Sequence, residues 1–184
     1  MTPVVTDIEW TPKARAVLAA ADELFYDRGI HAVGVDLVAE RAGVTKKTLY
    51  DRFGSKDRLV VAYLEDRDAR WRVLLAEHLD AAGPEPAARV AAVFDASAAW
   101  TSSHAPRGCG MINAHAEISD PDHPAYAVIT GQKAWMLALF ADLVGDAAPA
   151  VMLLHEGALA ASGMGAVDDA FAVARDAALR LLQV

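Results

Sequence analysis

Residues 36–53 read DLVAERAGVTKKTLYDRF. Asp36 is placed to cap a short helix in which Leu37 and Val38 serve as apolar anchors. Ala39 is small where a second helix must approach, and Gly43, four residues on, supplies the positive φ of a tight turn. Val44 then turns inward, and Thr45 is a good N-cap for a second helix that directs Leu49 and Phe53 to a core. Lys46, Lys47 and Thr48 occupy the first turn of that helix. A first turn of this kind is what a recognition helix pushes into the major groove, and its free amides favour phosphate. Tyr50 can place its hydroxyl on a phosphate. Ser55 caps the next helix and Lys56 sits at its positive end. Those groups would position the chain on DNA, while Lys46, Lys47 and Thr48 reach base edges. A short helical hairpin used only for packing shows the same pattern, so spacing alone leaves both readings open.

Working outward, the pattern is helical throughout, with no period-2 run. Ala14, Val17, Leu18, Ala21, Leu24 and Phe25 form a helical stripe over 13–28, with Pro12 in the first turn and Gly29 at the C-terminal cap. A long helix follows Ser55 and ends near Ala82-Gly83-Pro84. Further helices are expected over 86–104, 109–118, 124–144, 149–163 and 168–183, with Pro149, Asp168 and Asp169 at helix starts. The expected architecture is all-α, about nine helices, with a helix-turn-helix domain over 1–55 and a helical body over 56–184.

The net charge of −8 argues at first against nucleic acid, but its distribution does not. Residues 1–60 hold nine Lys/Arg and nine Asp/Glu, so the whole excess lies beyond residue 60. Within 45–58, five basic residues (Lys46, Lys47, Arg52, Lys56, Arg58) face two acidic ones (Asp51, Asp57). Cys109 is the only cysteine, which excludes an intrachain disulfide and suits a reducing compartment. Without a basic-then-apolar leader or a long uninterrupted apolar run, the chain is expected to be cytoplasmic, with no membrane span.

The stretch 13–60, with AAADELFYDRG and VAERAGVTKKTLYDRFGSKDRLV, resembles the N-terminal DNA-binding domain of TetR-type repressors. The LF pair, the following G, then AGVT, TLY, F and SK fall at the family's spacing. The resemblance implies a homodimer that binds double-stranded operator DNA and is released by a small-molecule effector. It implies that Thr45, Lys46, Lys47, Thr48, Tyr50 and Lys56 face DNA. One departure stands out: the family commonly has Thr or Ser just before the motif, and here His31-Ala32-Val33-Gly34 has no hydroxyl. That phosphate contact would fall to a backbone amide. The body resembles a subset of the family through AVGVD, YLEDRDARW and RGCGMINAHAEISDPDHPA.

An effector cavity in a helical body is mostly apolar with a few polar groups. Ser97, Thr101 and His104, plus Asn113 and His115 near Cys109, are the polar candidates, and Cys109 itself is counted in the pocket. Trp71, Phe94, Trp100, Met111, Trp135 and Leu139 are candidate walls, although each fits an ordinary core equally well. Cys109 could sense oxidants if Arg107 and a helix N-terminus activate it, or could simply pack a short helix. None of the six histidines makes an H-x-x-x-H pair, so no metal and no cofactor is expected. No paired carboxylates or phosphate loop support an enzyme, and no catalytic residue is assigned. A body that binds a protein partner is the remaining alternative. The final two helices, rich in Ala and Gly, present Leu154, Ala158, Ala161, Phe171, Leu179 and Leu182 as the expected dimer interface. The same residues could instead close an intramolecular hairpin.

Overall fold

Thr11 and Pro12 open the first helix. The Thr11 hydroxyl accepts from the Ala14 amide at 3.2 Å, and Pro12 takes a first-turn position where its missing N–H costs nothing. The computed structural model describes residues 8–182. Residues 1–7, where a leader was sought, and Gln183 of the last expected helix lie outside the described residues. The elements are α1 (Pro12–Arg28), α2 (Val35–Arg41), α3 (Lys46–Phe53), α4 (Lys56–Ala81), α5 (Pro86–His104), α6 (Gly110–Glu117) and α7 (Pro124–Val144). A 3-10 turn (Gly145–Ala147), α8 (Ala148–Met164) and α9 (Ala170–Leu181) complete the chain. No strand occurs among the described residues, and the fold is all-α, as the apolar periodicity requires.

One cap differs from expectation. Asp36 does not cap α2; the N-cap is Gly34, two positions earlier, and its lack of a side chain leaves the cap without a side-chain hydrogen bond. Asp36 instead lies exposed in the first turn, where a negative charge suits the helix dipole and where it pairs with Lys46.

The described residues form two compact units. The first contains the chain up to Asp68 together with Gly110–Thr130; the second contains Ala69–Cys109 and the chain from Gly131 onward. In the first unit, α1, α2 and α3 pack on one another around Val17, Val38, Leu49 and Phe53, all with 0% exposure. Trp10 meets Phe53 edge-on with ring centroids 6.4 Å apart, and Phe25 meets Tyr63 at 5.7 Å. Gly43 takes φ +66 in the turn, as the motif demands. The unit is closed by α6. The Glu117 carboxylate accepts from the amides of Ile30 and His31 at 2.9 and 2.6 Å. In the second unit, α5, α8 and α9 pack together, with Val93, Phe94, Phe140, Val151 and Ala178 at 0% exposure.

The stretch Pro124–Met164 is strongly apolar, its richest eighteen residues reaching a mean hydropathy of 1.8. Gly145, at φ +56, and the 3-10 turn divide it into α7 and α8.

Gly29 has φ +91 and ψ 149, a conformation essentially confined to glycine, and a Cβ there would lie 3.0 Å from Glu117 Oε1. Gly29→Ala is therefore expected to destabilise the protein by about 1–3 kcal/mol in urea unfolding. Glu117→Ala should not recover that loss, because the backbone strain remains and the Ile30 and His31 amides lose their acceptor. An unchanged unfolding midpoint would contradict the assignment of strain to this turn.

Candidate nucleic-acid interface

The first turn of α3 is set by its cap. The Thr45 hydroxyl accepts from the Thr48 amide at 3.1 Å and lies 2.9 Å from the Thr48 hydroxyl. Thr45 thus orients the helix, an interaction worth about 1 kcal/mol. Leu49 and Phe53 anchor the opposite face with 0% exposure. Lys46 and Lys47 are left exposed, with Tyr50 at 40% exposure on the next turn. The structure brings five of the six expected DNA-facing residues onto this helix and its cap.

Both lysines are paired with carboxylates of their own unit. Lys46 Nζ donates to Asp36 at 2.9 Å and Lys47 Nζ to Asp51 at 3.0 Å. The Asp36 hydrogen bond holds Lys46 above its ordinary pKa, so the ammonium stays charged. Solvent screens exposed pairs of this kind, so a phosphate can displace the carboxylate at small cost. Lys56, the sixth residue, opens α4, where the Ser55 hydroxyl accepts from the Arg58 amide at 3.1 Å. It is half-buried, with Nζ 6.0 Å from the centre of the Phe25 ring. On the far side, Arg41 forks onto Glu23 at 2.7 and 2.8 Å, tying α2 to α1.

The hydroxyl missing ahead of α2 is not replaced by the amides of Ile30 and His31, because Glu117 occupies both. Glu117 was not singled out from sequence. Its partners lie 86 and 87 residues away, and only the acidic end of the NAHAE stretch marks it. His123 behaves as a capping residue: its Nδ1 accepts from the Ala125 amide at 3.1 Å, and its Nε2 lies 3.5 Å from Asp57.

In the second unit the proposed effector residues fall into separate groups. Trp71 and Trp100 meet edge-on at 6.0 Å, and His104, exposed, stacks on Trp100 at 4.4 Å. Trp135 is half-buried under the Arg72 guanidinium, 3.7 Å from its ring centre, and Leu139 is half-buried nearby in sequence on α7. Phe94 packs edge-on against the buried His155 ring at 5.7 Å. Ser97 is buried, donates to the Val93 carbonyl at 2.8 Å and lies 2.8 Å from His155 Nε2. Thr101 is buried and its hydroxyl has no partner. Met111, buried, and Asn113, exposed, belong to α6 of the first unit.

Half-buried Cys109 meets a cation, but it is Lys133 rather than Arg107: the ammonium lies 3.3 Å from Sγ and 2.8 Å from Glu156. Burial alone would lower the Lys133 pKa. The Cys109 sulfur and the Glu156 carboxylate outweigh it and leave Lys133 raised. Burial would raise Glu156, yet His155 and Lys133 bring it below the usual carboxylate value. Lys133, His155 and Glu156 were missed in the sequence, although each interrupts a markedly apolar helix.

Four likenesses bear on these units. Residues 17–63 match the bacterial regulatory proteins of the tetR family. The HTH-type transcriptional activator FasR of Mycolicibacterium smegmatis is 53% identical over 49 residues, which is 27% of this chain and 22% of that protein's length. The crystal structure of a TetR-family transcriptional regulator from Streptomyces coelicolor superposes with a TM-score of 0.86 at 29% identity, covering 94% of this chain and 97% of that one. The regulatory protein TetR of Rhodobacter sphaeroides shares the fold, with a TM-score of 0.75 at 20% identity, covering 92% and 98% of the two chains.

His155 yields a pH signature. Its burial keeps its pKa below the usual 6.5 despite the neighbouring Glu156 carboxylate. Below pH 6.5 the unfolded chain binds a proton that the folded chain refuses, so the stability present above that pH is lost as pH falls. The unfolding midpoint in urea is expected to stay flat above about pH 7 and to decline from about 6.5 towards 5. His155→Gln should be less stable at neutral pH yet lack that decline. The same decline in the variant would assign it elsewhere.

Proposed function

We propose that this chain, which belongs to the tetR family of bacterial regulatory proteins, binds a near-palindromic operator as a homodimer and represses transcription until a small-molecule effector releases it. The observation that carries this reading is the first turn of α3. There, exposed Lys46 and Lys47 follow a satisfied Thr45 cap, on a helix whose other face is fully buried. Residues 1–55 are the reading head and residues 56–184 the effector-binding and dimerising body. Lys46, Lys47 and Thr48 meet base edges, whereas Tyr50 and Lys56 meet phosphates. Transcriptional control places the protein in the cytoplasm, and no reaction is assigned to it.

Apolar surface on α8 and α9 supports the dimer. Leu153 is 73% exposed, Met164 74% and Val173 57%. A groove lined by Ala150, Leu153, Leu154, Ala177 and Leu181 runs between the two helices. Monomeric proteins rarely leave such a face uncovered. Ala158 and Phe171 are buried within the protomer, so the outward face belongs to Leu153, Val173 and Leu181, with half-buried Leu154, Ala161, Leu179 and Leu182 beside them. Two-fold pairing gives two reading heads, and heads a whole number of helical turns apart gain specificity from symmetry.

The test is selection of binding sites from a random duplex pool, followed by affinity measurements across salt concentrations. Lys46→Ala should lose about tenfold or more on the selected site and far less on random DNA, because it removes a base contact. Lys56→Ala should weaken both equally and lower the salt slope by about 0.9, the value for one phosphate contact. Failure to enrich any duplex at low salt would overturn the reading. Transcription from a template carrying the site gives the sign, since the Mycolicibacterium relative is an activator by name.

A further inference from the structure

The two lysines in the first turn of α3 are paired in different ways. Lys47 meets Asp51 one turn along its own helix, and its side chain stays 85% exposed. Lys46 reaches across to α2, where Asp36 accepts from Nζ at 2.9 Å, and its side chain is 50% exposed. These partners are ten residues apart in sequence, one in the first turn of each helix. Both helices are fixed from behind. Val35, Val38 and Ala39 bury the back of α2, and Leu49 and Phe53 bury that of α3. The Asp36 carboxylate is therefore an anion on a fixed backbone beside the turn assigned to base reading, and it holds one of the three protons of the Lys46 ammonium.

We propose that Asp36 is a specificity-determining residue, which positions Lys46 for a base edge and turns it away from phosphate. This role rests on the DNA reading proposed for α3. With one ammonium proton on Asp36, two remain to donate. Guanine O6 and N7 are neutral acceptors, and they can take both protons while the pair with Asp36 persists. A phosphate oxygen carries charge. It meets either the carboxylate beside the ammonium or, once it displaces that carboxylate, an unneutralised Asp36 close by. The attraction of Lys46 for phosphate is thereby largely cancelled, whereas its hydrogen bonds to a base are not. Specificity of this kind comes from repelling the wrong contact as much as from attracting the right one. Lys47, paired within α3, gains no anchor on α2 from its own carboxylate partner.

The test compares sites selected from a random duplex pool by the full-length protein, by Asp36→Asn and by Lys46→Ala. Affinities are then measured on the selected site and on random duplex across salt concentrations. Asparagine keeps the shape and an acceptor oxygen but removes the charge. Asp36→Asn should bind random duplex about threefold to tenfold more tightly, with a salt slope steeper by about 0.9 as Lys46 neutralises a phosphate. A gain of that kind cannot come from a chain that fails to fold. On the selected site the variant should gain less than about twofold, and it should lose base preference at the same base pair that Lys46→Ala relaxes. In the Lys46→Ala background, Asp36→Asn should leave the ratio of selected to random affinity unchanged within about twofold. Asp36→Glu should keep the preference. Glu40→Gln, which removes the same charge one turn further along α2, should raise both affinities alike. An unchanged ratio in Asp36→Asn, relaxation at a different base pair, or an equal change of the ratio in Glu40→Gln would each overturn the role of Asp36 and leave α3 as the reading helix. Failure to enrich any duplex would overturn the DNA reading itself, and this role with it.

Discussion

Helices of seven and eight residues do not hold themselves in water, because nucleation costs more than so few hydrogen bonds return. α2 and α3 are helices of these lengths, and everything that makes α3 useful depends on burying their apolar backs. Val38 and Ala39 supply the burial for α2, Leu49 and Phe53 for α3, and the 17-residue α1 supplies the surface they bury against. Polar contacts then set the register: Thr45 fixes the first turn of α3, Arg41 ties α2 to α1 through Glu23, and Glu117 holds the turn between α1 and α2. Apolar contacts provide most of the stability, while the polar ones determine which way the lysines point.

Charge obeys the same division. The net charge of −8 repels a polyanion, and exposed Lys46 and Lys47 are each neutralised by a nearby carboxylate. On the proposed reading, the first turn of α3 is therefore close to neutral until a phosphate competes for the lysines. Releasing two weak, exposed pairs costs little, whereas random anionic surfaces gain little from a site so nearly balanced. If α3 reads bases as proposed, such an arrangement favours duplexes that also satisfy its base-reading groups.

The helix-turn-helix was legible because local chemistry prescribes it. Gly43 is needed for a positive φ, Thr45 for a cap and Leu49 and Phe53 for a one-sided core, and all of these sit within eleven residues. Asp36 was misread for the converse reason: Asp is a good cap in general, and a two-residue shift of the helix start to Val35 turned it into an ion-pair partner. Glu117 was illegible because a contact with amides more than eighty residues away leaves no periodicity behind. The candidate effector residues were chosen as polar interruptions of apolar stripes, and that rule picked out Ser97 and Thr101 but not the partner of Ser97. His155 and Glu156 interrupt α8 in the same manner and escaped notice because α8 read as a dimer helix.

The second unit shows why a polar interruption does not by itself identify a ligand site. Lys133, Glu156, His155 and Ser97 satisfy one another across α5, α7 and α8, and Cys109 joins them through Lys133. A network of this kind tends to specify one packing arrangement, because any shift of helices strands a charge or a hydroxyl in a medium that solvates it poorly. Thr101, one turn beyond Ser97 on α5, has no such partner in the protein. The two residues look alike in the sequence, both hydroxyls on the buried face of one helix. What separates them is whether the fold completes the hydrogen bond, as His155 does for Ser97, or leaves a buried hydroxyl without one.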